Sequence, residues 1–245
     1  MSSLYGIKDG AIFVSDAHEN ENRDKLLVFL KDIKDKKIQT TQLFLLGDIF
    51  DFVTGYTEYS MKFYDKHIKL IKEISNDIEV FFIEGNHDFK MSNLFKDTSV
   101  KVFEISSQPV KFKALNSDIQ IAHGDNFLPF ISKYALLFLR VKPFLIFMNF
   151  VDKIFNFKIS KWILNKLKFK KLDYKIPNFK ELIRPKLRYY NADYVIEGHY
   201  HQGCVFDIEN KKYINLPCFA CNQSYFIVEY ENDKIKFIKK NLKGH

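Results

Sequence analysis

The stretch IEVFFIEGNHDFK, residues 78–90, decides how the fold is read. Its first half is a short apolar run of the kind found in strands buried on both faces. The run ends abruptly in Gly85, Asn86, His87 and Asp88. A tight turn after a strand needs a glycine and little else. Three adjacent side chains able to bind a metal or move a proton therefore ask for a chemical reason.

Working outward, the same arrangement recurs four times. AIFV (11–14) leads into SDAHEN, with Asp16 and His18, and QLFLL (42–46) leads into LGDIFDF, with Asp48 and Asp51. DIQIA (118–122) runs into HGD, with His123, and DYVIE (193–197) into GHYH, with His199 and His201. Amphipathic stretches over 22–34 and 58–75 have helical periodicity, and strands alternating with helices predict a layered α/β fold with parallel strands. The tail, with KKYINL, SYFIVEY and KIKFIKK, reads as antiparallel strands. Ligands in open α/β sheets gather beyond the carboxyl ends of the strands, so the five endings are expected to converge. Five of the seven histidines sit at those ends; His67 and His245 read as surface residues.

The chemistry that needs such a set is a pair of divalent metals. Carboxylates, imidazoles and an amide oxygen form a donor set of intermediate hardness, suited to Mn²⁺, Fe or Zn²⁺ better than Ca²⁺, and no cysteine joins it as in a structural zinc site. In extended chain the one-residue spacing of Asp16 with His18, and of His199 with His201, puts each pair on one side. Asn86 reads as a ligand through its amide oxygen. Taken singly, each motif has a plainer reading: Asp16 as a helix cap, Gly85 as a turn residue, His123 as a core histidine, Asp51 as a helix-start residue. Five motifs in one order, each at a strand end, favour the metal reading.

Composition frames the rest. At 245 residues, with 47% hydrophobic residues, the chain is long enough to bury a sizeable core. Three cysteines do not make a disulfide framework, and Cys218 with Cys221 forms a C-x-x-C without a second pair to complete a zinc site. The segment 126–175 holds eleven of the 38 Lys and Arg but only two of the 30 acids, Asp152 and Asp173, so it carries +9 and leaves the remainder at −1. Within it Val151, Ile154, Phe155, Ile159, Trp162 and Ile163 recur at helical spacing, interleaved with lysines that include Lys158 and Lys161. No uncharged apolar run there approaches the roughly 20 residues of a membrane span. The segment reads as lying on an anionic membrane or covering a lipid, with a helical hairpin packed on the core as the plainer alternative. Phenylalanines set among Leu and Ile suit acyl chains better than base stacking, so nucleic acid is not expected as a partner.

The order D-x-H, G-D-x-x-D, G-N-H-D, H-G-D, G-H-x-H, from Asp16 to His201, resembles the calcineurin-like metallophosphoesterases. The resemblance implies two packed mixed sheets flanked by helices, and a dinuclear site. Carried over residue by residue, it implies that Asp16, His18 and His201 hold one metal, Asn86, His123 and His199 the other, and that Asp48 bridges them. His87 would face the scissile phosphate, with Asp88 orienting or charging it. Within the superfamily the chain looks most like the UDP-2,3-diacylglucosamine pyrophosphohydrolases of lipid A synthesis, through GDIFDF, HGD and a helical insertion directly after HGD. The implied organisation is a core of 1–125 and 176–245 with a lid at 126–175, whose Phe155, Trp162, Lys158 and Lys161 face the lipid.

That resemblance implies hydrolysis of a lipid-linked nucleotide sugar, with two divalent ions, Mn²⁺ first among them, at the inner face of the cytoplasmic membrane. The chain departs from the pattern at His87, where those enzymes carry arginine, and in GHYHQG, where they read G-H-T-H-R-P. Histidine can protonate an alkoxide leaving group, so cleavage of a soluble nucleotide or a phosphoprotein stays chemically open. A scaffold that keeps the fold without catalysis is a third reading, against which all seven ligand positions are filled. The roles of Asp51, Asp125 and the Cys218/Cys221 pair stay open at this stage.

Overall fold

The computed structural model describes residues 5–125 and 130–242. The first half of the chain runs β1 (Tyr5–Gly6), β2 (Ile12–Val14), α1 (Lys25–Lys34), β3 (Gln42–Leu46), β4 (Val53–Thr54), α2 (Glu58–Phe63), α3 (Asp65–Ile74), β5 (Glu79–Ile83), β6 (Asp88–Phe89) and β7 (Lys101–Phe103). Strands β2, β3, β5 and β7 pair in parallel, as the β/α alternation predicts. In-register pairing sets Phe13 beside Phe44 and Phe44 beside Phe81. Their rings stack at 4.2 and 4.6 Å between centroids, each such pair adding about 0.5–1.5 kcal/mol beyond its buried area. Residues one position away, Ile12, Leu43, Leu45, Val80 and Phe82, belong to a separate cluster with the apolar stripe of α1 (Leu26, Phe29, Leu30, Ile33) and of α3 (Ile68, Ile71, Ile74).

Two helix expectations change. The helix expected from residue 22 starts at Lys25, because Asn20 Oδ1 accepts the N–H groups of Asn22 (2.8 Å) and Arg23 (3.1 Å) and holds a turn there. The helix expected over 58–75 is broken at Tyr64, which is fully buried and donates its hydroxyl to the carbonyl of Glu19 at 2.7 Å. His67 is not a surface residue: it packs beside Phe50 and Tyr64 with Nε2 2.7 Å from Glu19 Oε1. His245 lies outside the described residues.

The second half builds the other sheet, from β8 (Val110–Ala114), β9 (Ser117–Ala122), β10 (Tyr194–Glu197), β11 (Gln202–Ile208) and β12 (Lys211–Pro217), in the order β1-β8-β9-β10-β12-β11. Then β13 (Ser224–Glu231) and β14 (Lys234–Asn241) return to the first sheet, giving β14-β13-β2-β3-β5-β7. Ile121, Ile196 and Ile214 face Phe13, Phe44 and Phe81 between the sheets. Val195 and Tyr213 face outward under Phe179 and Ile183 of a short helix (Phe179–Ile183). The architecture is the expected two mixed sheets flanked by helices.

Between β9 and that short helix lie three more: α4 (Phe130–Leu139), α5 (Lys142–Ile154) and α6 (Lys158–Leu167). Asn156 and Phe157, both left-handed, turn α5 into α6. Asp152 accepts the N–H groups of Ile159 (2.9 Å) and Ser160 (3.2 Å), and so caps α6 from the preceding helix. Residues 126–129 of the segment expected as a lid lie outside the described residues.

Candidate metal centre

The ends of β2, β3, β5, β9 and β10 meet at one edge of the two sheets, and the side chains singled out at those ends come together there. Ligand atoms of Asp16, His18 and His201 lie within 4.8 Å of one another, as do those of Asp48, His123 and His199. Asp48 stands between the groups, with Oδ2 3.8 Å from His18 Nε2 and Oδ1 3.5 Å from His123 Nε2. His18 Nε2, His123 Nε2 and the amide oxygen of Asn86 are buried and have no hydrogen-bond partner. Buried polar atoms are rarely left so. Lone pairs stranded together in a shell of carboxylates fit two divalent cations.

The backbone is bent to bring them there. Asp16, His18, Asp48, His199 and His201 all have positive φ, between 41° and 63°. Non-glycine residues seldom adopt such angles, and strain of this kind collects at functional sites. A Cβ on Gly85 would overlap Oδ1 and the backbone nitrogen of Asp48, so at this position the requirement is closeness and not a special dihedral.

Surrounding groups aim these side chains. His123 Nδ1 donates to the carbonyl of Leu46 (2.8 Å) and His201 Nδ1 to that of Leu172 (2.9 Å), which turns each Nε2 toward the carboxylates. His18 Nδ1 is 3.3 Å from Asp51 Oδ1. Asp51 is therefore neither a helix-start residue nor grouped with the ligand atoms. Its carboxylate takes two 2.8 Å hydrogen bonds from Arg23 and lies behind His18. Arg23, which sequence reasoning missed, also donates to the carbonyls of His18 (3.0 Å), Lys168 (3.1 Å) and Leu167 (3.3 Å). Asp125 pairs with Arg140 at 3.4 Å, and Arg140 donates to the carbonyl of Gly85 at 2.7 Å, bracing the G-N-H-D loop.

The G-N-H-D turn divides its labour differently from expectation. No hydrogen bond joins the Asp88 carboxylate to the His87 ring. Its Oδ1 accepts the N–H groups of Gly85 (3.0 Å) and Asp48 (2.9 Å), and its Oδ2 those of Ile49 (2.6 Å) and Phe50 (3.3 Å). A carboxylate spent on four backbone donors clamps the loop that carries Asp48 and has nothing left for its neighbour. His87 is held instead through Nδ1 by the carbonyl of Asp51 at 2.6 Å, and its Nε2 meets the ammonium of Lys170 at 3.2 Å.

The charges interlock. Burial raises the pKa of Asp16, but the charge and hydrogen bond of His201 outweigh it and hold the carboxyl below its ordinary range. Asp48 lies well below that range for a similar reason, burial being overcome by His123, His87 and His18. Burial pulls His123 and His201 down, yet Asp48 raises the first well above the usual histidine value and Asp16 raises the second. Burial depresses His18, and together with the charge of His123 it takes His199 down to about 4.

A cavity of about 330 Å³ lies beside this centre, lined by Asn86 and His87 together with Phe144, Leu145, Met148, Ile159 and Ile163. Phe155 and Trp162 do not line it. They are 55% and 61% exposed, because Ile159 and Ile163, four apart, take the inward face of α6. Lys158 and Lys161 are exposed as well.

Residues 11–203 match the profile of the family described as Calcineurin-like phosphoesterase. A UDP-2,3-diacylglucosamine hydrolase of Wigglesworthia glossinidia brevipalpis is 30% identical over 244 residues, covering 93% of each chain. Another, of Blochmanniella pennsylvanica (strain BPEN), is 26% identical over 243 residues, 92% of this chain and 94% of the relative. Among solved structures, an archaeal phosphodiesterase matches with a TM-score of 0.47 at 12% identity, over 94% of this chain and 99% of the other.

Proposed function

The chain belongs to the calcineurin-like phosphoesterases, a family of metal-dependent hydrolases, and from that premise we propose that it splits the pyrophosphate of UDP-2,3-diacylglucosamine, releasing UMP and 2,3-diacylglucosamine 1-phosphate. The observation that carries the substrate is the apolar cavity whose lining includes Asn86 and His87. A soluble nucleotide has no use for such walls. An acylated sugar does, since apolar surface gains about 25 cal/mol for each Å² withdrawn from water.

In this reading Asp16, His18, His201 and Asp48 hold one divalent ion, while Asn86, His123, His199 and Asp48 hold the other. Mn²⁺ is the first choice, with Fe or Zn²⁺ also suited to the donors. Such a pair, when bound, supplies Lewis acidity to a phosphoryl group and makes water a competent nucleophile near neutral pH. The protein's own contribution is to place charge. His87, fixed through Nδ1, accepts a hydrogen bond from Lys170, and the pair sets a positive charge beside Asn86 where the related lipid A enzymes carry arginine. That charge suits the equatorial oxygens of a phosphate in transfer. A phosphate leaving group needs no proton, so a His87 whose Nε2 is engaged by Lys170 fits pyrophosphate cleavage.

The outer face of α5 and α6 supports a peripheral membrane role. Phe147, Phe150, Ile154, Phe155 and Trp162 are all exposed there, with Lys158, Lys161 and Lys166 among them. Among the described residues no helix is long and apolar enough to cross a membrane. We place this face on the anionic inner surface of the cytoplasmic membrane, where each lysine near the surface would contribute about 1 kcal/mol.

Ile163→Asp puts a charge into the cavity wall and tests the reading. KM for UDP-2,3-diacylglucosamine should rise by about tenfold or more, with turnover of bis(p-nitrophenyl) phosphate unchanged. Equal losses on both substrates would transfer the cavity from substrate binding to structure. Phe155→Ser with Trp162→Ser should weaken co-sedimentation with anionic vesicles; unchanged binding would remove the membrane from the proposal.

A further inference from the structure

The C-x-x-C turn has no part in the chemistry above, yet it sits directly behind Asp16. A one-turn helix (Phe219–Asn222) carries Cys221, with Cys218 at its start, and the two sulfurs are 2.8 Å apart. A disulfide closes at about 2.05 Å between residues whose Cβ atoms lie about 3.5–4.5 Å apart. Here less than an ångström of closure is needed. Exposure is divided between the two: Cys218 is buried and Cys221 exposed.

The backbone of this turn is bound to the metal side of the protein. Cys218 bridges Ser15 in parallel, and the N–H of Phe219 donates to the Ser15 carbonyl at 3.1 Å. The carbonyl of Asp16 receives the N–H of Ala220 at 3.1 Å and the thiol of Cys218 at 3.4 Å. Asp16 itself is held at a φ of 52°, and its Oδ1 faces His201 Nε2 at 3.2 Å. The turn is thus part of what keeps Asp16 in an unfavourable backbone conformation.

We propose that Cys218 and Cys221 form a reversible disulfide under peroxide, and that its closure lowers activity by disturbing Asp16. The thiolate of Cys221 attacks the peroxide O–O bond, giving a sulfenic acid and, after a proton is taken up, one water. The sulfur of Cys218 then attacks the Cys221 sulfur, the S–O bond breaks, a second water leaves and the S–S bond forms. Two electrons pass from the thiols to peroxide oxygen, and a dithiol reductant returns them. Closure consumes the Cys218 S–H donor to Asp16 and draws the turn inward.

The loss of turnover rests on the metal-hydrolase reading; formation of the disulfide does not. Full-length protein is treated with hydrogen peroxide, its remaining thiols are alkylated, and its peptides are weighed. The expected product is a 218–221 peptide lacking two hydrogens, with Cys204, whose thiol burial pushes up to about 11, still alkylated. Mn²⁺ affinity and turnover should each fall about tenfold, the loss usual when groups behind a metal ligand are disturbed. Dithiothreitol should restore both, and Cys221→Ser should resist the treatment. Alkylation of Cys221 after peroxide, or a disulfide that leaves Mn²⁺ affinity and turnover unchanged, overturns the proposal. So does equal loss in the wild type and Cys221→Ser, which assigns the damage to the metal centre. Protein that hydrolyses neither substrate before treatment refutes the proposed function, and the disulfide is then judged by mass and Mn²⁺ affinity alone.

Discussion

Asp88 and His87 are neighbours with separable jobs. Asp88 holds four backbone N–H groups around Asp48, so Asp88→Asn, which turns an acceptor into a donor facing those groups, should weaken Mn²⁺ binding by about 10–100-fold in titration calorimetry. His87→Ala should leave that affinity nearly intact and lower turnover. Loss of metal in the second variant and not the first would reverse the assignment. Nothing in the letters G-N-H-D distinguishes the two roles, because backbone donors carry no side-chain signature. Asn86 was legible as a candidate ligand, since an amide at a strand end among histidines has few other uses, and its buried amide oxygen has no hydrogen-bond partner. Asp51 was not, because its partner Arg23 lies on a different loop, 28 residues away.

Proton competition belongs to the same scale. In the metal-free protein Asp48 and Asp16 raise His123 and His201, so both keep a proton to higher pH than an ordinary histidine, near 6.5. A divalent ion must displace those protons, so its affinity is low at acid pH and rises through the histidine range and above it. The slope should approach about two decades per pH unit where both protons are displaced. A flat profile between pH 6 and 8 in competition titrations with a chromophoric chelator would show that these imidazoles are not ligands.

Among the elements, the strands that are apolar on both faces were read well. Ile12, Phe13 and Val14 carry no polar residue, so burial on both faces followed directly. Strand β8, with Val110, Phe112 and Ala114 buried and Lys111 and Lys113 exposed, has an alternation that was equally legible and went unread. The break at Tyr64 could not be foreseen, since it depends on a carbonyl 45 residues away. Phe44 stacks between Phe13 and Phe81 with no solvent exposure, so Phe44→Ala should cost about 3–5 kcal/mol in urea unfolding at unchanged m-value. A cost under 1 kcal/mol would mean that the two sheets repack freely. The chain from the end of α6 onward also reaches the centre: the carbonyls of Leu167 and Lys168 accept from Arg23, the carbonyl of Leu172 accepts from His201, and the ammonium of Lys170 meets His87. Arg23→Ala should therefore impair both Mn²⁺ affinity and lipid turnover, whereas a purely local role would spare the metal.

Across the whole molecule, charge and apolar surface are concentrated in one place. The segment 126–175 carries +9 and the remainder −1, and the exposed aromatic residues of α5 and α6 lie within it. Composition alone located this segment; which of its side chains face the cavity was not legible, because Ile163 and Trp162 differ by one position on the same apolar stripe. In the proposed function the metal centre and the cavity serve one acylated substrate. The most direct measurement compares kcat/KM for UMP release from UDP-2,3-diacylglucosamine with that from UDP-N-acetylglucosamine, in Mn²⁺-loaded wild type and in Asp48→Ala. The acylated substrate should be favoured by at least about 10³-fold, the scale of several buried methylenes at about 0.8 kcal/mol each, and Asp48→Ala should abolish release from both. Equal rates on the two substrates, or near-normal turnover by Asp48→Ala, would contradict the proposed function.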